Sequence, residues 1–426
     1  MKYKKRLLAG KLINMLKRFA VVVVTGGRQV GKSTLLTHEL PGWEAIVFDP
    51  VTDVGNARHD PDLFLDNHPP PLIMDEIQYA PELVASIKRR VDHPTTPFTG
   101  GSGRANAAGR RVSQYVLTGS QQWSVLKSIS ESLAGRAVFL DLEGFCLTEI
   151  AQASGEDSWL ERYLREPREF AASAPPRLTL NRTLYEQLWR GFLPETDALE
   201  LDWIADFHRA YLRTYIERDA RLVTDVGDWQ QFGRFVRLAA ALTAQEINHS
   251  QLGRELSVTP QTARRWLATL QATFQWYEVP AYHGNTIKRI GSKPKGYLAD
   301  TGLACSLQAI STPQALAGHP LAGALFESAV VAEIRKLAGT LATPPVVYHW
   351  RSQGGAEVDL LLERDGTFFP IEIKLTSHPS SRDTRGIEAF RATYPHLKIA
   401  PGLVIAPTAR LEPLSRHVCA LPWDCR

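Results

Sequence analysis

The residues best suited to chemistry form a short run between an apolar strand and a helix. They are Gly26, Gly27, Arg28, Gln29, Val30, Gly31, Lys32, Ser33 and Thr34. The run fits the pattern G-x-x-x-x-G-K-[S/T], whose glycines let backbone N–H groups curl round a β-phosphate. Lys32 is placed to reach the β- and γ-phosphate oxygens, and Ser33 to ligate Mg²⁺. The spacing therefore predicts a site for ATP with Mg²⁺.

Further polar residues follow two other predicted strands. The apolar run at 72–74 ends in Asp75 and Glu76, and a later strand ends in Thr118 and Ser120. Asp75 is expected to hold the Mg²⁺ shell, and Glu76 to activate a water for attack on the γ-phosphate. The hydroxyls are expected beside the γ-phosphate, at the carboxyl edge of the sheet. Because these residues come after a phosphate-binding loop, they predict ATP hydrolysis.

These groups need elements that hold them in place. Val21–Val24 predicts a buried parallel strand, because the run is short and β-branched. Ser33 opens a helix whose positive end faces the phosphates. The chain is therefore expected to be an α/β protein.

A second centre of charge is predicted near the C-terminus. Residues 356–375 read as two strands joined by a two-residue turn at 365–366. That turn places Glu372 directly opposite Asp359, with Lys374 one step along and the apolar residues on the other face. Like charges in this position are destabilising, so the pair predicts a divalent cation between them. The alternative is that the acids only pair with Lys374 and nearby arginines.

The order of these residues resembles the PD-(D/E)xK nuclease fold, with Asp359 first and Glu372-Ile373-Lys374 after it. That resemblance implies Mg²⁺ on Asp359 and Glu372. It also implies that Lys374 positions or activates the attacking water. An earlier helix supplies another acid in that fold, and Glu327 is the candidate.

Basic residues predict contacts with DNA. Gln251–Leu256 and Pro260–Phe274 read as two helices joined by a tight turn. Strands are expected after them at Trp276–Tyr282 and Thr286–Ile290, and the whole looks like a winged helix-turn-helix. The expected contacts are Arg264 and Arg265 on the second helix, and Lys288, Arg289, Lys293 and Lys295 on the wing. The alternative is a winged helix that serves only for packing.

Two other stretches are basic. The long connection before the strand at 115 contains Arg104, Arg110 and Arg111, which either contact a threaded nucleic acid or belong to a surface insertion. The first twenty residues carry seven Lys and Arg residues and no acid. They predict an amphipathic helix whose basic side chains either bind nucleic acid or are simply solvated.

Composition limits the remaining possibilities. The 426 residues are enough for two to four domains, and the apolar share of 44 % is ordinary for a globular chain. No apolar run is long enough to span a bilayer. The four cysteines have no metal-binding spacing, which suits reduced thiols in a cytoplasm. The net charge of +4 is too small to indicate a nucleic-acid partner by itself.

The runs GGRQVGKSTL, LIMDEIQYAPEL, VLTGSQ, ESLAGR, LTEI, LWRGFLPE, TYIERD and YLADTGL cover nearly the whole chain. They resemble the prokaryotic AAA+ ATPases whose C-terminal half is a domain of unknown function, DUF4143. The resemblance implies an AAA+ core that forms a homo-oligomeric ring. Arg136, at the end of ESLAGR, is expected to act as an arginine finger on a neighbouring subunit, or else to balance Glu131 or Glu149.

The predicted order of domains is a P-loop AAA+ core at 1–150, a connector and helical lid at 151–235, a winged helix-turn-helix at 236–295 and a restriction-endonuclease-like domain at 296–426. Three functions are compatible with that order. The first is an ATP-driven machine acting on branched or damaged DNA. The others are a nucleotide-dependent signalling switch whose nuclease-like domain is a binding platform, and an ATP-gated, Mg²⁺-dependent endonuclease.

Overall fold

The valine run forms the strand β1, Val21–Thr25, of a parallel sheet in this computed structural model. The other strands of that sheet are β2 Glu44–Val47, β3 Leu72–Asp75, β4 Tyr115–Gly119 and β5 Ala137–Asp141. Their order within the described residues is β2-β3-β4-β1-β5. Every residue of β1, β3 and β4 is buried. A parallel sheet covered on both faces explains these continuous apolar runs, so the α/β prediction is confirmed.

The structure describes residues 3–93, 115–120, 133–153, 157–173, 175–215, 220, 228–285, 289 and 291–426. The chain divides into two compact units, one of residues 1–144 with 271–274 and the other of residues 145–270 with 275–426. The helices of the first unit are α1 Leu8–Leu16, α2 Lys32–Glu39, α3 Pro61–Asn67 and α4 Leu83–Asp92. The predicted N-terminal amphipathic helix is α1, which buries Ala9, Leu12 and Leu16.

The second unit begins with helices. They are α5 Leu147–Ile150, α6 Trp159–Arg165, α7 Pro167–Ala172, α8 Leu184–Arg190, α9 Pro194–Ala198, α10 Leu201–Thr214 and α11 Trp229–Ala241. The predicted helix pair follows as α12 His249–Glu255 and α13 Pro260–Ala272. An antiparallel sheet in the order β6-β8-β7 accompanies this pair, and its strands are β6 Gln245–Glu246, β7 Trp276–Val279 and β8 Lys295–Leu298.

The wing differs from the prediction. The expected strand at 286–290 lies mostly outside the described residues, and Arg289 is helical. Lys295 belongs instead to β8, which pairs with both β6 and β7. Its side chain is buried, so the prediction of an exposed, phosphate-binding Lys295 is wrong.

A mixed sheet forms the C-terminal part of the second unit. Its strands are β9 Val346–Arg351, β10 Glu357–Arg364, β11 Thr367–Ile373, β12 Lys398–Ile399, β13 Gly402–Ala406, β14 Glu412–Pro413 and β15 Val418–Pro422. Their order is β14-β15-β13-β11-β10-β9, with β12 beside β11. The helices here are α14 Thr301–Leu307, α15 Pro313–Ala317, α16 Ala322–Thr340 and α17 Arg385–Thr393.

The predicted hairpin register is confirmed, because Leu360 pairs with Ile371 across the turn. Asp365 and Gly366 both have positive φ, as a tight hairpin turn requires. The expectation of a single apolar face is wrong, since Leu361 and Phe368, which the predicted register assigns to the polar face, are buried too. A register shift against β9 between Val358 and Leu361 accompanies this burial. The centre around Asp359 therefore lies inside the protein.

Candidate functional site

The phosphate-binding loop has the conformation that its glycines predict. Gly26 and Gly31 have φ values of 151° and 90°, which favour glycine. A Cβ at Gly26 would also lie 2.1 Å from the carbonyl oxygen of Leu142, so no larger residue fits there. Helix α2 starts directly after Gly31 and buries Lys32 in its first turn. The loop thus directs the N-terminus of α2 at the place where phosphates bind.

Lys32 and Asp75 organise this loop. The Nζ atom of Lys32 donates to the carbonyl oxygens of Gly26 and Gly27, at 2.9 Å each. The Ser33 hydroxyl donates to Asp75 Oδ2 at 2.5 Å, and the Thr118 hydroxyl donates to Asp75 Oδ1. The structure therefore brings together the loop, the end of β3 and the end of β4.

These residues fit ATP and Mg²⁺. A serine hydroxyl and a carboxylate are hard oxygen donors of the kind that Mg²⁺ takes, and a nucleotide site leaves its other positions to phosphate and water. Ser33 and Asp75 are the residues that would hold the cation. Lys32 is the residue that would bind the phosphate oxygens.

Glu76 lies beside this cluster in a left-handed conformation, with φ 57°. Its backbone N–H donates to Asp75 Oδ1 at 3.1 Å and to the Thr118 hydroxyl at 3.2 Å. The side-chain amide of Gln78 donates to Glu76 Oε2 and lies 3.4 Å from the Ser120 hydroxyl. Gln78 thus joins the two residues expected near the γ-phosphate. Sequence reasoning missed it, although it stands only two positions after Glu76.

Arg6 is a second residue that the sequence did not reveal. It is only 5 % exposed, and its guanidinium donates to the carbonyl oxygen of Val30 at 2.7 Å and of Glu143 at 2.6 Å. One arginine therefore ties the phosphate-binding loop to the segment after β5. The prediction that the N-terminal basic residues bind nucleic acid or are solvated is wrong for Arg6.

Arg136, the expected arginine finger, has a partner within its own unit. Its Nε and Nη2 atoms bind the two carboxylate oxygens of Asp92 at 2.6 and 2.9 Å. This guanidinium holds the pKa of Asp92 below its usual value. Glu131, the alternative partner named from the sequence, lies outside the described residues. The finger role of Arg136 stays a prediction.

The C-terminal centre brings Glu327, Asp359, Glu372 and Lys374 together with a residue from β8. The Nζ atom of Lys295 lies 2.7 Å from Glu327 Oε1 and 2.9 Å from Asp359 Oδ1. Lys374 Nζ lies 2.7 Å from Glu372 Oε1 and 3.8 Å from Asp359 Oδ2. Each predicted acid of this centre thus contacts a lysine.

Burial shifts the pKa values of the acids in the C-terminal centre. Burial and the nearby Asp359 carboxylate raise the pKa of Glu327 to about 7 and that of Glu372 to about 8. Although burial opposes it, the neighbouring carboxylates raise the pKa of Lys374 to about 12. The pKa of Lys295 is raised by the same kind of neighbours, Asp359 and Glu327. Both lysines are therefore cationic at neutral pH.

The residues expected to contact DNA fall into three groups. Arg264 and Arg265 are exposed on α13. The guanidinium of Arg289 instead stacks over the rings of Tyr282 and Tyr348, 4.6 and 5.3 Å from their centroids. Arg104, Arg110, Arg111 and Lys288 lie outside the described residues. Within the described part of the predicted contacts, the exposed basic side chains are thus Arg264 and Arg265 on α13 and Lys293 before β8.

The phosphate-binding loop, its acidic partner and the parallel sheet define a P-loop ATPase of the AAA type. Residues 18–151 match the AAA domain family, residues 181–314 match a domain of unknown function (DUF8612), and residues 322–425 match a second one (DUF4143). The chain thus combines an AAA domain with a C-terminal DUF4143 domain.

Similar proteins include the uncharacterized proteins Rv2008c of Mycobacterium tuberculosis and Mb2031c of Mycobacterium bovis. Each is 29 % identical over 419 residues, which cover 98 % of this chain and 83 % of the relative. Among solved structures, a Walker-type ATPase of Pyrococcus abyssi matches 70 % of this chain and 94 % of its own, with 14 % identity and a TM-score of 0.43. The ORC2 protein of Aeropyrum pernix in its ADP form matches 72 % and 93 %, with 14 % identity and a TM-score of 0.28.

In the described parts of the chain, no helix combines the length and apolar character that crossing a bilayer requires. All four cysteines are buried as free thiols.

Proposed function

We propose that this chain hydrolyses ATP at the phosphate-binding loop and couples hydrolysis to binding of DNA. The observation that supports hydrolysis is the carboxylate of Asp75, which accepts from the hydroxyls of both Ser33 and Thr118. Asp75 and Ser33 are thereby held side by side. A site organised in advance loses little free energy to rearrangement during the reaction.

Each residue has a distinct part in this reaction. Lys32 exchanges two neutral carbonyl acceptors for anionic phosphate oxygens, with which it makes stronger, charge-assisted bonds. Glu76 accepts a proton from the attacking water, and Gln78 orients the Glu76 carboxylate. Mg²⁺, when bound, supplies charge neutralisation at the β- and γ-phosphates.

The exposed face of α13 supports DNA binding. Ala263, Trp266, Leu267 and Leu270 are buried and fix the helix, so that Arg264 and Arg265 point away from the core. Side chains arranged in this way on the second helix of a helix-turn-helix can reach the edges and phosphates of a DNA groove.

The quaternary proposal follows from Arg136. In a homo-oligomeric ring its guanidinium would leave Asp92 and reach the γ-phosphate of the adjacent subunit. The free thiols support a reducing compartment, and we place the protein in the cytoplasm on that basis.

The ATPase rate, measured without DNA and with single-stranded, duplex and branched DNA, tests the proposal. We expect stimulation of at least several-fold, with the preferred DNA structure giving the largest rate. The variant Arg264→Ala/Arg265→Ala should lose the stimulation but keep the basal rate. Arg416→Ala, at an exposed arginine before β15, is the matched control. An ATPase rate that is unchanged by every DNA tested would contradict coupling to DNA and favour the nucleotide-dependent switch.

A further inference from the structure

The C-terminal centre contains a lysine that the nuclease resemblance does not include. Lys295 comes from β8, whereas the acids come from α16, β10 and β11. Its ammonium lies within 2.9 Å of both Asp359 and Glu327. The resemblance predicts a cation on Asp359 and Glu372, with Glu327 as a further acid, but the structure places an amino group between Asp359 and Glu327.

Several of the carboxylate oxygens that would ligate Mg²⁺ already have partners, whereas the buried Glu372 Oε2 has no hydrogen-bond partner among the described residues. Asp359 Oδ1 accepts from Lys295, and Asp359 Oδ2 accepts from the backbone N–H of Ile373 at 3.0 Å. Glu327 Oε1 accepts from Lys295 and from the Tyr297 hydroxyl at 2.8 Å. Within the described residues, no group of three or more His, Cys, Asp or Glu side chains is arranged to hold a metal ion. The residues present therefore do not fit Mg²⁺.

Electrostatics leads to the same conclusion. Three carboxylates share two ammonium groups, so most of the negative charge that would attract a divalent cation is neutralised. A cation bound by Asp359 and Glu327 would also lie next to the Lys295 ammonium. Repulsion between two like charges at such a distance is several times stronger near a protein interior than in water.

Lys295 is held firmly in this position. Its backbone pairs with Glu246 on one side and Val279 on the other, and its residue exposure is 8 %. The neighbouring strand position is tightly packed, since a Cβ at Gly296 would lie 2.0 Å from the ring of Trp276. Movement of Lys295 out of the centre would leave two buried carboxylates without their shared partner, which is strongly unfavourable.

We propose that Lys295 acts as a built-in counter-ion that closes a latent divalent-cation site between Asp359 and Glu327. The C-terminal centre is therefore metal-independent, and it stabilises the packing of β8, α16 and the β10–β11 hairpin. The inference does not depend on the proposed ATPase and DNA-binding activities. It removes the basis for a Mg²⁺-dependent endonuclease at this centre.

The proposal predicts that removal of the ammonium opens the site. In Lys295→Ala the carboxylates keep only Lys374 as a cationic partner, and the vacated space lies between oxygen ligands of the type that Mn²⁺ and Mg²⁺ take. Mn²⁺ is the probe, titrated in the absence of nucleotide and followed by electron paramagnetic resonance and by the melting temperature. Lys293→Ala, at an exposed lysine two residues earlier, is the matched control.

We expect Lys295→Ala to gain a Mn²⁺ site and to be stabilised by Mn²⁺, with the gain lost in Lys295→Ala/Asp359→Asn. The unmodified protein and Lys293→Ala should show no Mn²⁺ site that depends on Asp359. Folded Lys295→Ala without a new site would overturn the proposal. Because Lys295→Ala can fail to fold, the unmodified protein gives a second, independent test. If it binds Mn²⁺ and Asp359→Asn abolishes that binding, Lys295 does not close the site and the proposal is wrong.

Discussion

In the phosphate-binding loop, Lys32 donates to backbone carbonyls and Asp75 accepts from hydroxyls. In the C-terminal centre, Lys295 and Lys374 donate directly to carboxylates. Both centres contain lysines and acids, but the partners of the lysines differ. They are neutral carbonyls at the first centre and carboxylates at the second. A lysine bonded to neutral carbonyls makes stronger bonds when it moves to phosphate. Removing a lysine that is already paired with buried carboxylates is instead destabilising.

Residue type alone does not identify a metal site. The Asp75 carboxylate accepts from the neutral donors of Ser33, Thr118 and the Glu76 backbone, so its charge is available to a cation. At Asp359 the charge is balanced by Lys295. We therefore expect nucleotide chemistry at the first centre and structural stabilisation at the second.

Substitution of Lys32 should give the largest effect. Lys32→Ala removes the ammonium group that is expected to bind the β- and γ-phosphate oxygens. By analogy with loss of one transition-state donor, the ATPase rate should fall on the order of 10²–10³-fold. Steady-state phosphate release measures this. Lys374→Ala, the corresponding change at the other centre, should leave ATP turnover unchanged. If Lys32→Ala hydrolyses ATP at the normal rate, the assignment of the first centre is wrong.

Arg6→Ala should give the next largest effect. It removes a buried guanidinium that supports the carbonyls of Val30 and Glu143, and unsatisfied buried polar groups cost about 1–3 kcal/mol each. Because the loop conformation depends on these bonds, nucleotide affinity should fall about tenfold, which corresponds to about 1.4 kcal/mol. Binding of a fluorescent ATP analogue measures this. Lys5→Ala changes an exposed neighbour and should have no effect on nucleotide affinity. Equal losses of affinity in both variants would show that N-terminal charge matters and loop support does not.

The sequence predicted the features that depend on local patterns. The spacing of Gly26, Gly31 and Lys32 determines the loop, and the turn at Asp365-Gly366 determines the hairpin register. Arg6 could not be assigned, because its contacts lie 24 and 137 positions away in the chain. Lys295 was placed on a wing for the same reason: only tertiary packing brings β8 to the acids of the hairpin.

The second centre should appear in the pH dependence of stability. Burial beside Asp359 raises the pKa of Glu372 from 4.5 to about 8, although Lys374 opposes the shift. The folded state thus binds more protons than the unfolded state between those values, so this group makes stability fall as pH rises through that window. Its contribution reaches up to about 1.4 kcal/mol per pH unit.

Glu372→Gln should therefore flatten the decline in stability between about pH 5 and 8, since a glutamine cannot titrate. Urea denaturation at several pH values measures the effect, and Glu363→Gln on the same hairpin is the control. Some pH dependence of stability should remain, because Glu327 has a pKa of about 7 and lies near the same Asp359 carboxylate. An unchanged pH profile in Glu372→Gln would mean that the proton is held elsewhere in the centre.

The smallest effect is expected at Gln78, which acts on the first centre through its neighbours. Its amide joins Glu76 to Ser120, so Gln78→Ala should misorient the Glu76 carboxylate without changing the phosphate-binding loop. Loss of one such positioning bond, worth about 0.5–1.5 kcal/mol, corresponds to a decrease in kcat of roughly two- to tenfold with little change in nucleotide affinity. Single-turnover hydrolysis separates the two quantities. A change in affinity with an unchanged kcat would instead show that Gln78 supports binding, and that Glu76 is oriented by its own left-handed backbone and the Asp75–Thr118 contacts.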